Sequence, residues 1–224
     1  MSTIFDWPAA LIPTDISVRP PRKTVGLNTS ISQFTQAVPA IRPPFGLSIE
    51  MGALFGSDVL AWRALIASLE GRANRLRIPL FDLYYRATDA QIFAGAVTHS
   101  DGTAFSDGAR YLTSDLQGVT VTGVQGQRNI TADFGEYGQL LQGGLYFGIG
   151  EHPYIATQVF WEGSVATIRC SPTLRIDYTD EPLKLKPTMI CRQTSDDGGE
   201  LMLRRASHGT PALELEETFD GLFS

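Results

Sequence analysis

Two glycines flanking one residue, in Gly148-Ile149-Gly150-Glu151-His152-Pro153, begin the way a dinucleotide-phosphate cradle begins. In such a cradle a third glycine lets a helix open directly behind the strand, and the helix N-terminus meets the pyrophosphate. Here proline stands where that glycine belongs, and a β-prone run follows instead of a helix. The chain also lacks a Gly-x-x-x-x-Gly-Lys-Ser/Thr loop. The sequence therefore predicts no nucleotide site.

Metal-ligand spacing is equally absent. His99, His152 and His208 lie far apart, with no paired histidines one helical turn apart and no Cys-x-x-Cys. Asp101, Asp107 and Asp115 do not have calcium-loop spacing, and aspartate before glycine is ordinary turn chemistry. The only cysteines, Cys170 and Cys191, could bridge by their spacing. The start, Met1 to Pro8, has neither a basic region nor an apolar core of a secretory leader, so a cytoplasmic origin with both thiols buried and reduced is the expectation. No run of apolar residues is long enough to span a bilayer. No metal and no cofactor are expected.

Nucleophilic catalysis needs a nucleophile beside an oriented base. Ser164 follows Gly163 without a strand-elbow-helix context. Glu136, Glu151 and Glu162 are formal candidates for the two carboxylates of a glycosidase, but solvated loop or strand-edge positions are the favoured reading of all three. Tyr137, Tyr146, Phe147, Tyr154, Phe160 and Trp161 crowd one stretch and could stack on a sugar; side chains alternate along strands, so most are expected in the core. Arg72, Arg75 and Arg77 form a small basic cluster suited to a solvated face or a subunit contact. The expectation is a protein that is not an enzyme, with no catalytic, cofactor-binding or metal-binding residues to assign.

The elements that would position these side chains are mainly strands. Seven prolines fall in the first 44 residues, and proline is excluded from helix interiors and central strands. Between them lie extended candidates at Asp15–Val18, Thr29–Val38 and Leu47–Leu54, forming an arm that could reach a neighbouring subunit. One helix is predicted over about residues 57–70, capped by Ser57, with Asp58 in its first turn, an apolar stripe of Val59, Trp62, Ile66 and Leu69 with Leu65 beside it, and Gly71 as its stop. Further strands are predicted at Arg77–Tyr85, Val119–Val124, Leu145–Ile149, Tyr154–Trp161, Ser164–Cys170, Leu174–Tyr178, Thr188–Gln193 and Glu200–Arg204. The acidic tail from Thr210 either docks or frays. Many short strands between glycine turns imply a sandwich or barrel. The net charge of −6 argues against a general nucleic-acid or anionic-membrane surface.

This layout resembles the distal tail proteins of long-tailed bacteriophages and phage-like particles. The resemblance is carried by Trp62-Arg63-Ala64-Leu65-Ile66-Ala67-Ser68-Leu69-Glu70-Gly71-Arg72, by Leu140-Leu141-Gln142-Gly143-Gly144-Leu145-Tyr146-Phe147-Gly148-Ile149-Gly150, and by Ser171-Pro172-Thr173-Leu174-Arg175. The second stretch departs from the family pattern, having Gly144-Leu145 where an aspartate is common. The resemblance implies a mainly β fold with one amphipathic α-helix: a β-sandwich or barrel domain, residues 1–85 plus 181–224, carrying the helix, and an inserted small OB-like β-barrel, residues 86–180. It also implies a homo-hexameric ring in the virion tail tip, assembled in the bacterial host cytoplasm. Such a ring joins the tail tube protein to the tail hub and other tail-tip proteins, meets DNA only in passage through the lumen, and does not insert in a membrane. Two other classes fit the same composition: another tail-tip component such as a hub or minor tail protein, and a carbohydrate-binding β module for host adsorption. A small hydrolase using scattered carboxylates is a further rival.

Overall fold

The computed structural model describes residues 2–21, 24–29, 35–39, 43–80, 116, 118–203 and 208–219, with backbone alone at 24–29 and 35–39. The fold is mainly β with one α-helix among the described residues. The chain divides into two compact units: Met1–Leu80 with Met189–Ser224, and Phe81–Thr188.

The first unit is a six-stranded sheet. Its strands are β1 (Ile4–Asp6), β2 (Pro13–Arg19), β5 (Gly46–Met51), β6 (Arg75–Pro79), β13 (Thr188–Gln193) and β14 (Ala212–Glu217), in the order β1-β6-β13-β14-β5-β2. Alternation explains the pairing: Leu47, Ile49 and Met51 of β5 and Leu213 and Leu215 of β14 are buried, while Glu50, Glu214 and Glu216 face out. The acidic tail is thus a central strand of this sheet, and Glu200–Arg204 is not its return strand: Leu201–Leu203 is not in a strand and 204–207 lie outside the described residues. Two stretches of the N-terminal arm are strands of this sheet. β2 pairs antiparallel with β5, and β1 pairs parallel with β6. The expected single strand Thr29–Val38 is instead two, β3 (Thr24–Thr29) and β4 (Thr35–Pro39), a separate antiparallel pair with Thr29 opposite Thr35.

The helix α1 spans Ser57–Leu69. Its N-cap is Gly56, with no side-chain cap hydrogen bond, so Ser57 is the first helical residue and not the cap. Its end comes one residue earlier than Gly71 implied, at Glu70, which takes the left-handed conformation (φ 48°, ψ 51°). Val59, Trp62, Leu65 and Leu69 are the buried stripe; Ile66 lies at its margin. Trp62 is fully buried, its ring meeting Trp7 edge-on at 6.3 Å between centroids.

The second unit holds β7 (Thr120–Gly123), β8 (Asn129–Asp133), β9 (Tyr146–Ile149), β10 (His152–Glu162), β11 (Val165–Ser171) and β12 (Tyr178–Lys184), in the order β7-β12-β9-β10-β11-β8. The outer strands β7 and β8 approach one another, so the sheet is nearly a barrel. Its core includes Ile130, Phe134, Phe147, Ile149, Tyr154, Ile168 and Leu183. The expected strand Leu174–Tyr178 is replaced by Tyr178–Lys184, whose pairing with β7 and β9 carries this unit past residue 180. Asp180, at φ 51°, takes up the irregularity between Tyr178 and Glu181 that lets Pro182 sit in a strand. The strand β8 has no counterpart in the sequence expectations.

Candidate functional site

The Gly148–Pro153 motif is a hairpin turn. Gly150 sits at φ 60° between β9 and β10, and a Cβ on Gly148 would lie 3.0 Å from the Pro187 Cα. Both glycines therefore have structural reasons. His152 is buried, and the His208 ring lies tilted against Phe55 at 5.5 Å between ring centroids. His99, Asp101, Asp107 and Asp115 lie outside the described residues. Among the described residues no cluster of three or more His, Cys, Asp or Glu could hold a metal.

Of the carboxylate candidates, Glu151 and Glu162 do not converge. Thr188 Oγ1 donates to Glu151 Oε2 at 2.9 Å. Glu162 is exposed at the opposite end of β10. At ~3.3 Å per strand residue the two are on the order of 30 Å apart along the strand, well beyond the separation a glycosidase pair needs. Glu136 lies in the short 3-10 turn Gly135–Tyr137, and its side chain is outside the description. Asp133, fully exposed, accepts from the Gly135 N–H at 2.9 Å and from the Ser164 hydroxyl, and these bonds lower its pKa.

Both cysteines are free and buried. Burial pushes the Cys170 thiol up to about 11 and raises that of Cys191 further, so neither offers a thiolate near neutral pH. The Cys191 thiol donates to the Leu76 carbonyl and the Cys170 thiol to the Arg128 carbonyl, each at 3.2 Å.

The arginines after the helix bind their own unit. Arg77 pairs with Asp6 at 2.9 Å, Arg75 Nη2 donates to the Ser2 carbonyl at 3.3 Å, and the Arg72 N–H donates to Asp196 at 3.1 Å. Of the aromatic group, Tyr137, Phe147 and Tyr154 are buried, and Tyr146 and Trp161 are half-buried. Phe160 alone is openly presented, at 62% exposure.

Among the described residues, the second unit carries a polar cavity of about 290 Å³, lined by Arg128, Thr157, Gln158, Arg169, Cys170 and Ser171. The ladder of β10, β11 and β8 sets Gln158 opposite Arg169, and Arg169 opposite Asn129. A bulge between Ala156 and Gln158 leaves Thr157 as the extra residue, and its hydroxyl donates to the Arg169 carbonyl at 2.9 Å. Arg128 is held by its backbone: its carbonyl accepts the Cys170 N–H at 2.7 Å. No family model matches this chain, and no curated protein matches it in sequence. Sequence reasoning missed the cavity because Arg128 and Arg169 are 41 residues apart in the chain and meet only through the β8–β11 pairing.

Among the described residues of the first unit, the exposed large apolar side chains are Ile12 (77%), Phe55 (56%), Leu60 (64%), Met202 (84%) and Leu203 (40%). Most gather at one end of the sheet. Ile12 precedes β2, Phe55 follows the Leu54–Gly209 bridge, and the Met202 carbonyl lies 2.9 Å from where a Gly209 Cβ would stand. Among the described residues no helix is long and apolar enough to cross a membrane.

Proposed function

We propose that this chain is a ring-forming structural component of a bacteriophage-type tail tip, acting as a distal tail protein between the tail tube and the tail-tip hub. One observation carries the reading: the first unit is an open sheet with two unlike edges, β1 and β2, and an exposed apolar patch at one end. An open edge offers unpaired N–H and C=O groups to another chain. Two unlike surfaces joined head to tail generate a ring when the rotation closes. Patches of exposed apolar surface mark association sites. The sixfold copy number and the partners, tail tube and hub proteins, follow from the family resemblance, as does the absence of catalysis.

The experiment is a mass and projection-symmetry measurement on purified tail particles containing the protein. The expected result is six copies in one ring at the distal end. A monomer scattered along the particle, or absence from it, overturns the reading. The variant Phe55→Glu/Met202→Glu is expected to keep its circular dichroism and to lose incorporation into the ring, because a desolvated carboxylate has no partner there.

A further inference from the structure

We infer that the second unit binds an acidic glycan, with its oxyanion in the cavity between Arg128 and Arg169 and a neighbouring sugar ring on Phe160. This does not rest on the ring proposed above.

The first support is electrostatic. In a chain of net charge −6, two arginines line one cavity, and no carboxylate is among its described lining residues. Among the described residues neither guanidinium makes a hydrogen bond or an ion pair. The nearest acids on the same ladder, Asp133 and Glu162, sit at its far end, both at the level of Val165. From Asn129 to Asp133 is about 13 Å along β8 at ~3.3 Å per residue. Arginine forks suit carboxylate and phosphate oxygens, and Gln158 and Ser171 add neutral hydrogen-bonding groups beside them.

The second support is the surface that leads out of the cavity. Beyond Gln158 the exposed residue on the same face is Phe160, about 7 Å farther along β10. Opposite it in register stands Thr167, and opposite Thr167 stands Thr131. All three are exposed. An aromatic ring bordered by hydroxyls, one residue pair from an oxyanion site, matches the spacing of adjoining sugars in a chain. Apolar faces of sugars stack on such rings, and hydroxyls satisfy their rims. A nucleic acid would call for a broad basic surface, and the net charge of −6 argues against one.

Carboxylate and phosphate offer the same chemistry to the two arginines, and the test separates them. The full-length protein is titrated calorimetrically at 150 mM salt with polygalacturonate, a phosphorylated dextran, neutral dextran and a single-stranded DNA oligonucleotide. The expected result is binding to one or both acidic polymers and none to dextran; the arm that binds identifies the oxyanion. Arg128→Gln and Arg169→Gln are each expected to weaken binding at least tenfold, and Phe160→Ala several-fold, with unchanged thermal melting, since all three side chains are exposed. The inference is overturned if neither acidic polymer binds, if the Arg128→Gln/Arg169→Gln protein binds as well as wild type, or if DNA binds as tightly as the glycan and Phe160→Ala has no effect. Ring assembly by these variants tests the other proposal separately, because none of the three residues belongs to the first unit.

Discussion

The indole N–H of Trp62 donates to the carbonyl of Gly199 at 2.8 Å, across 137 residues of sequence. This bond fastens the helix to the segment after β13, within a unit built from both ends of the chain. Gly199 itself holds φ 81°, and a Cβ there would collide with Ile66 Cδ1. Trp62→Phe keeps most of the ring and leaves the buried carbonyl unpaired, at a cost of about 1–3 kcal/mol. Gly199→Ala is expected to cost a similar ~1–3 kcal/mol through backbone strain, and Ile66→Ala should relieve the collision but not the strain. Urea unfolding midpoints of the three variants check this.

Tyr154 and Tyr178 share a buried hydrogen bond of 2.9 Å between their phenol oxygens, and the Tyr154 oxygen also accepts the Arg175 N–H at 3.0 Å. Tyr154→Phe therefore removes two bonds, and Tyr178→Phe leaves one of them in place. Tyr154→Phe is expected to cost about 1–3 kcal/mol. A double-mutant cycle should return a coupling above ~0.5 kcal/mol. Additive losses would mean that the phenols do not bond.

The bulge at Thr157 decides which aromatic ring faces out. Before it, Tyr154 and Ala156 are buried; continued alternation would bury Phe160 and expose Trp161. The extra residue reverses the phase, so Trp161 packs on Phe134 at 5.0 Å and donates to the Leu141 carbonyl at 3.3 Å. Trp161→Ala is expected to destabilise by about 3 kcal/mol, and Phe160→Ala by less than ~0.5 kcal/mol. Thermal melts of the pair distinguish the two phases.

Cys170, with its pKa raised from 9.0 to about 11, and Tyr154, raised from 10.0 to about 12, are both held neutral by burial. In the unfolded chain each would ionise nearer its ordinary value. The folded state then binds more protons than the unfolded one from about pH 9 upward, so stability falls as pH rises through 9 to 12. Below pH 9 these groups contribute no slope. Melting temperatures between pH 7 and 11 should show the decline, and Cys170→Ala should reduce it. A thiol reagent at pH 8 should modify neither cysteine until denaturant is added, and then both.

Much of the fold was legible from residue patterns. The 3.6-residue period of Val59, Trp62 and Leu69 marks a helix wherever it packs, because that period is local. The alternation in Thr188–Gln193 likewise belongs to any half-buried strand. The motif search was local too: proline at position 153 excludes a phosphate cradle without reference to any neighbour.

Tertiary structure alone decided the partners. A period of two states which face is apolar, not which strand lies alongside, so the central place of Ala212–Glu217 and the antiparallel pair β3–β4 were not written in either segment. One unpaired residue, Thr157, turns Phe160 outward, since a single-residue slip moves every later side chain to the other face of the sheet. The two arginines that line the second unit's cavity meet through backbone pairing between β8 and β11, a long-range contact that neither residue's neighbourhood in the sequence encodes. Residue types set the available chemistry, and strand register set which of those residues share a site.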